Sequence, residues 1–593
     1  MQFCFDPVNT RFKSITGGIP SQEKITFTVQ SDADSVFAEF RRDDGVWKKA
    51  FPMKRSSGGF FVFSTSFPKG LYWYRFIADG RVFGKSKDKT AAENASEEFQ
   101  LTVFERNARF SDRLKGGIIY QIFPDRFCRS GDFSVPEGKI KREDWGGLPS
   151  FRAADGKVYN NEFFGGNFKG ITEKLPYLKK LNVTAVYLNP IAKAYSSHRY
   201  DTGDYLKTDS VLGDENDLKV LLARAKKMGI DFIFDGVYNH VGADSVYFDR
   251  GNVYGGGAYS DKKSKYRNWF SFKSYPDDYE CWWGFKTLPA IKKDCKSFQD
   301  FIVEKVLPYW FGLGFCGVRL DVADELSPSF IKRIKKKITE LKENSVLIGE
   351  VWEDATNKIA YGERREYFLG GQLDTVMNYP LKDGIVDFVL SGCEKYLCQV
   401  VKEQLNNFPR SVLDNLMNVL STHDTSRILT VFSRDRVVTD KDIMKYESYG
   451  EEELKRGKTL CKLAFALQFT LFGVPSVYYG DEAGLFGDLD PYNRKCYPWG
   501  NEDEEMLGFT EKLSKIRSEN KVFAGDFKLL YAEKKVIIFE RSSDEDVVIV
   551  AVSRFETDVK IRLDGEFEDL FSGNTASLHD LPSDGFLILK KCS

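Results

Sequence analysis

The sequence predicts an α/β chain organised around a (β/α)8 TIM barrel, with an N-terminal β-sandwich domain, a loop-inserted B domain and a C-terminal antiparallel β domain. Two observations carry this. After Gly117, short apolar or β-branched runs alternate with helical patterns, and there are eight such runs, the count a closed eight-stranded barrel requires. On either side the texture is of alternating segments cut by turn residues, which is the mark of antiparallel sheet.

The N-terminal domain, expected over residues 1–108, rests on "ITFTVQ", "SVFAEFRR", "GFFVFSTSF", "LYWYRFIADG" and "FQLTVF", with "DDG" and "ADG" where tight turns belong. The barrel is expected over 109–507. Its strands are sought in "GIIYQIFPD", "VTAVYLNP", "IDFIFDGVYNH", "FCGVRLD", "SVLIGEVW", "LDTVMNY", "LMNVLSTHD" and "VPSVYYGDE". Between them, "SPSFIKRIKKKITELKEN" offers Ser327 as N-cap and Pro328 in the first turn, with Phe330, Ile331, Ile334, Ile338 and Leu341 on one face. Residues 241–296, rich in Gly, Tyr, Trp and Asp, form the insertion, on the barrel face where active sites are built. From residue 508 a helix leads into alternating strands to residue 593.

Composition removes several classes of function. The 593 residues exceed what one hydrophobic core sustains, while 86 Lys and Arg nearly cancel 87 Asp and Glu, with no basic stretch to track a phosphate backbone. Nucleic acid is therefore not expected as a partner. The apolar stretch from Leu463 is broken by Gln468, Gly473 and Pro475, so no membrane is expected either; it is a buried helix running into a buried strand. The N-terminus lacks the pattern of a signal peptide, and ten cysteines without a CxxC pair suit reduced thiols, so a cytoplasmic location is expected. Aromatics at 15% exceed what a core needs and suit a groove with flat stacking surfaces.

Carboxylates recur at the C-terminal ends of the apolar runs: Asp235, Asp321, Glu350 and Asp424. Strand period 2 sets Arg319 and Asp321 on one side, facing inward, where the guanidinium should lower the pKa of the acid; the alternative is a structural ion pair at the barrel rim. Glu350 lies among Ile348, Gly349, Val351 and Trp352, an apolar setting that should raise its pKa. One carboxyl kept ionised and one kept protonated are the equipment for cleaving a glycosidic bond. Three of four histidines, His198, His240 and His423, fall at or just past strand ends and read as donors to substrate hydroxyls. No HExxH-like spacing marks a metal site, and His579 is assigned no role.

These residues resemble the α-amylase family of glycoside hydrolases, family 13: "DGVYNH", "GVRLDVADE", "GEVWED" and "STHDTSR" match its four signature regions in order, and the likeness runs from about Gly117 to Gly500. "SHRYDTGDY", "DPYNR" and the "ADEL" after Val322 are most similar to the cyclomaltodextrinase, neopullulanase and maltogenic amylase branch. The resemblance implies Asp321 as nucleophile, Glu350 as general acid/base and Asp424 as the third carboxylate. It implies that Asp235 belongs to the binding set and that Arg319, His240 and His423 contact the sugar at the cleavage point, with Tyr200 stacking on it. His198 would belong to a substrate-contact segment, Asp490 and Arg494 would grip the next sugar, and Trp352 would line the leaving-group side.

No cofactor is implied. A structural calcium is left open, since Asn239 matches a ligand position of some relatives while Leu288 to Ile291 lacks the partnering acid. "TLPAIKK" from Thr287 departs from the branch pattern at a segment that marks linkage preference. The expected function is retaining hydrolysis of α-1,4-glucosidic bonds in maltooligosaccharides, cyclodextrins, pullulan or starch. The alternatives are an α-glucan transglycosylase or α-1,6-active relative, and a non-catalytic glucan-binding barrel. The N-terminal domain is expected to bind glucan or to form a homodimer, or else to serve as a structural cap.

Overall fold

A computed structural model describes residues 1–153, 156–434, 448–555 and 559–592. Its centre is a parallel sheet of eight strands: β1 (Ile119–Ile122), β2 (Ala185–Leu188), β3 (Asp231–Gly236), β4 (Gly317–Leu320), β5 (Val346–Gly349), β6 (Thr375–Val376), β7 (Met417–Val419) and β8 (Val474–Tyr478). Neighbours pair in sequence order, β8 pairs with β1, and a parallel bridge from Met377 to Met417 closes β6 against β7. Every one of the eight expected runs supplies a strand.

Side-chain parity divides the barrel into two cores. Ile119, Ala185, Tyr187, Ile233, Val346, Ile348, Met417, Val419 and Val474 fill the interior. Alternate residues of the same strands, among them Tyr120, Val186, Phe232, Val318, Leu320 and Leu347, pack outward against the helices. The apolar interior filling stops near the C-terminal strand ends, and the next inward positions are polar: Gln121, Asp235, Arg319 and Glu350. The functional face follows from this change in the inward-facing residues.

Two details differ from expectation near β4. Val322 does not join the outward-packing row; it is half-buried at φ 40°, a left-handed conformation unusual for a β-branched residue, and it turns the chain after Asp321. In the helix Pro328–Leu341, Phe330, Ile331, Ile334 and Ile338 are buried, but Leu341 is exposed because the helix ends there, clear of the core. Ser327 holds the N-cap position without a side-chain cap bond; its hydroxyl faces that of Ser329.

The N-terminal sandwich comprises a four-stranded and a seven-stranded sheet around Phe27, Phe40, Tyr74, Phe76 and Phe99. The five expected strands are present, and "ADG" makes a tight turn with Asp79 at φ 44° and Gly80 at φ 79°. The sequence reading missed Lys48–Pro52, Arg81–Lys85 and Ala91–Glu93; Lys48–Pro52 and Ala91–Glu93 are edge strands, where alternation is weak and charge is favoured. At the other end six strands from Asp526–Glu533 to Phe586–Lys591 form one antiparallel sheet. The boundary expected at 508 falls inside the helix Glu504–Glu519. That helix is shared: its buried Arg517 donates to the carbonyls of Gly117, Phe469 and Gly473 of the barrel, and its Phe509 packs on Phe571 and Phe586 of the C-terminal domain.

The stretch 241–296 is built of short pieces tied to the barrel by isolated bridges such as His240 to Ala290. A second excursion, not expected, lies between β1 and β2 and carries the paired strands Ile140–Lys141 and Glu162–Phe163. Among the described residues no helix is long and apolar enough to cross a membrane.

Candidate active site

The centre of the site is Arg319, whose side chain is fully buried. Parallel register sets it beside Asp235 on β3 and Ile348 on β5, so carboxylates on both neighbouring strands come within reach. Arg319 Nη1 donates to Asp321 Oδ1 at 2.9 Å and to Asp235 at 3.0 and 3.2 Å. Its Nη2 stands 2.9 Å from Glu350 Oε2, an ion pair without hydrogen-bond geometry. One guanidinium thus organises three acids, which requires the planar fork of arginine rather than a lysine.

The turn at Val322 adds a donor. Its backbone N–H reaches Glu350 Oε2 at 2.8 Å, while the Trp352 indole N–H reaches Oε1 at 3.1 Å. Glu350 therefore does not lie in the apolar setting expected from its sequence neighbours. The neighbours in space are Arg319, a peptide N–H and an indole N–H, because the adjacent strand and the turn after it supply them. Trp352 itself stacks on Tyr379 at 3.9 Å and 7°, leaving one face half-exposed.

The expectation for Asp321 also needs correction. Burial pushes its carboxyl well above the usual carboxylate range; Arg319 opposes this, but the nearby carboxylates Glu350, Asp235 and Asp424 reinforce it. A guanidinium shared among three acids does not hold one of them down. For Asp424 the balance goes the other way: burial would raise it, yet His423, Arg494 and Arg319 bring it below the usual range.

A hydrogen-bonded chain crosses the barrel mouth. Gln121 Nε2 donates to His423 Nδ1 (2.9 Å), and His423 Nε2 lies 2.6 Å from Tyr200 Oη and 2.9 Å from Asp424 Oδ2. Tyr200 Oη donates to Asp235 Oδ2 (2.7 Å), an oxygen that also accepts from Tyr187 (2.6 Å). Asn189 donates to Tyr200 Oη at 2.9 Å. Tyr200 and His423 lie face to face at 5.2 Å and 6°.

His240 differs from its expected role as a donor. Burial lowers its pKa to about 4, and Nε2 lies 3.1 Å from the Tyr200 carbonyl, so Nε2 carries the proton and Nδ1 is left as an acceptor. In His198, lowered to about 3 by burial, Nδ1 accepts the Tyr200 N–H at 3.1 Å. His198 and Arg494 line a cavity of ≈ 250 Å³ together with Phe123, Phe151, Tyr159 and Pro491. Arg494 Nε donates to the His423 carbonyl (2.9 Å) and Nη2 lies 3.4 Å from Asp424. Asp490 is half-buried beside Pro491 of that cavity.

Asn239, on which the calcium expectation rests, directs Nδ2 at Asp321 Oδ2 (3.4 Å). Among the described residues no group of three or more His, Cys, Asp or Glu side chains is placed to hold a metal ion. Gln121, Tyr187, Asn189 and Tyr379 went unnoticed in the sequence. The parity rule that finds Asp321 would also have found Gln121 and Tyr187, each a polar side chain at an inward position of a strand.

Residues 121–524 match the profile described as "Alpha amylase, catalytic domain". The chain is 32% identical over 660 aligned residues to an amylopullulanase of Thermoanaerobacter thermohydrosulfuricus, covering 96% of this chain and 44% of that protein. It therefore spans less than half the length of that relative. A cyclomaltodextrinase of Bacillus sp is 31% identical over 78% of this chain and 77% of its own length. A solved cyclomaltodextrinase structure superposes with a TM-score of 0.71 at 26% identity, covering 99% of each chain.

Proposed function

This chain belongs to the α-amylase family, and on that premise we propose that it is a retaining glycoside hydrolase of α-1,4-glucosidic bonds in maltooligosaccharides, cyclodextrins, pullulan or starch. The observation that carries the reading is Arg319 in contact with Asp235, Asp321 and Glu350 at once. Three acids gathered on one guanidinium support the reading of a nucleophile and an acid held in mutual orientation.

Glu350 donates its proton to the leaving oxygen as Asp321 attacks the anomeric carbon; the C–O bond breaks and a glycosyl–Asp321 ester forms. Glu350, now ionised, takes a proton from water, which attacks the ester and releases the sugar with its anomeric configuration retained. Asp424, held ionised by His423 and Arg494, supplies negative charge beside the oxocarbenium-like transition state and accepts from sugar hydroxyls. Tyr200 offers a ring against which the reacting sugar stacks, and Trp352 borders the leaving group. Asp490 and Arg494 grip the next sugar beside the cavity at His198. The chemistry needs no cofactor.

All ten cysteines are free thiols, which supports a cytoplasmic setting. A homodimer through the N-terminal sandwich is part of the reading, and sedimentation at several concentrations tests it. The function is tested by incubating the protein separately with maltotriose, a cyclodextrin, starch, pullulan and an isomaltooligosaccharide and separating the products. Release of glucose and maltose from the α-1,4 substrates is expected. No release from any of them would overturn the reading, and cleavage of the isomaltooligosaccharide alone would move it to α-1,6 bonds.

A further inference from the structure

The segment that follows Glu350, residues 351–369, contains little regular structure, with only the two-residue strands Ile359–Ala360 and Glu363–Arg364 paired within it. It nevertheless carries Trp352, whose indole contacts Glu350 Oε1. Several of the bonds that fix it come from the N-terminal sandwich of the same chain.

Gln100, on the strand Phe99–Phe104, is fully buried at this boundary. Its Nε2 donates to Thr356 Oγ1 (2.8 Å), and its Oε1 accepts from Asn357 Nδ2 (2.7 Å). Its backbone carbonyl accepts from Asn406 Nδ2 at 3.1 Å. Lys13, buried, donates from Nζ to Asn406 Oδ1 at 2.8 Å. Asn406 in turn donates to Asn407 Oδ1 (2.9 Å), and Asn407 donates to Asp354 Oδ2 (3.0 Å). Asp354 also accepts from the backbone and hydroxyl of Thr356, so both routes end on one turn, two residues beyond Trp352.

A second grip lies farther along. Arg364 makes a two-pronged pair with Asp43 in the "DDG" turn of the sandwich, Nε to Oδ2 at 2.7 Å and Nη2 to Oδ1 at 2.9 Å, and Trp73 orients that carboxylate from 2.7 Å. Arg364 Nη1 also donates to the Asn357 carbonyl, which joins the two grips. Bidentate pairs of this kind set geometry as well as energy.

We propose that Gln100 and Asp43 are positioning residues for the reaction: the N-terminal sandwich acts in cis as a clamp that holds the 351–364 segment, and through Trp352 aims the carboxyl of Glu350 at the leaving oxygen. This rests on the reading of Glu350 as the acid. Loosening the clamp leaves Asp321 and Arg319 untouched, because they stand on β4 and its immediate end, so bond cleavage that needs no protonation should survive.

The test compares the full-length protein with its Gln100→Ala and Arg364→Ala variants on two substrates. Maltotriose needs a proton on its leaving oxygen; 2,4-dinitrophenyl α-maltoside, with an acidic phenol as leaving group, does not. In both variants kcat/KM for maltotriose is expected to fall by roughly 10- to 100-fold, as for a misplaced catalytic group, while kcat/KM for the dinitrophenyl substrate is kept. An equal loss on both substrates, as a folding defect would give, or no loss on either, overturns the proposal. Inactivity of the unaltered protein on both substrates would instead overturn the glucosidase reading itself.

Discussion

Arg319 Nη2 stands 2.9 Å from Glu350 Oε2 while Nη1 of the same guanidinium donates to Asp321 Oδ1 at 2.9 Å. The proposed acid and the proposed nucleophile are therefore oriented by one side chain, and disturbing that side chain should affect both steps of the reaction.

Arg319→Ala should abolish measurable hydrolysis and also destabilise the fold by about 3–5 kcal/mol, since it leaves buried carboxylates without their counter-charge. Urea unfolding followed by tryptophan fluorescence checks the second part. Arg319→Lys keeps the charge but loses the fork, so it should recover stability to a greater extent than activity.

The raised pKa of Asp321 has a definite sign in stability. A carboxyl whose folded pKa lies above its unfolded value, about 3.9, adds stability that is complete below that value and is lost as pH rises through the folded pKa. At neutral pH the ionised group is therefore a burden on the fold. Asp321→Asn should raise Tm at pH 7, with the difference disappearing below about pH 4. The same variant should be inactive on maltotriose, and a lower Tm at pH 7 would contradict the account.

Glu350→Gln should reduce the rate on maltotriose by about 10² to 10⁴, the contribution of general acid catalysis. On a substrate with an activated leaving group the first step should be spared. Pre-steady-state release of the leaving group, followed by slow turnover, is the expected signature.

Trp352→Ala removes both the indole N–H at Glu350 and the stack on Tyr379. A loss of transition-state stabilisation of about 1–3 kcal/mol in kcat/KM is expected, the scale of one hydrogen bond to a charged group with one aromatic contact. Trp352→Phe should return only the stacking part.

The barrel and its acids could be read in the sequence because both follow from period 2: alternate residues face the interior, and the inward position at a strand end meets the cleft. Gln121 and Tyr187 obey the same rule, but being uncharged they do not stand out from an apolar strand as a carboxylate does. The setting of Glu350 could not be read, since Ile348 and Val351 adjoin it only along the chain, and the groups that touch it arrive from β4 and from the turn at Val322. The excursion between β1 and β2 has no periodic signal. The hold of Gln100 on Thr356 joins residues 256 positions apart, which no local pattern reports.

The central claim is that Asp321 becomes covalently glycosylated. It is tested most directly by mixing the enzyme with a 5-fluoro-α-glucosyl fluoride, quenching during turnover, and locating the adduct by peptide mass spectrometry. The account predicts one added glycosyl group, on the peptide containing Asp321, and none in Asp321→Asn. Turnover without any adduct, or an adduct on another residue, would contradict it.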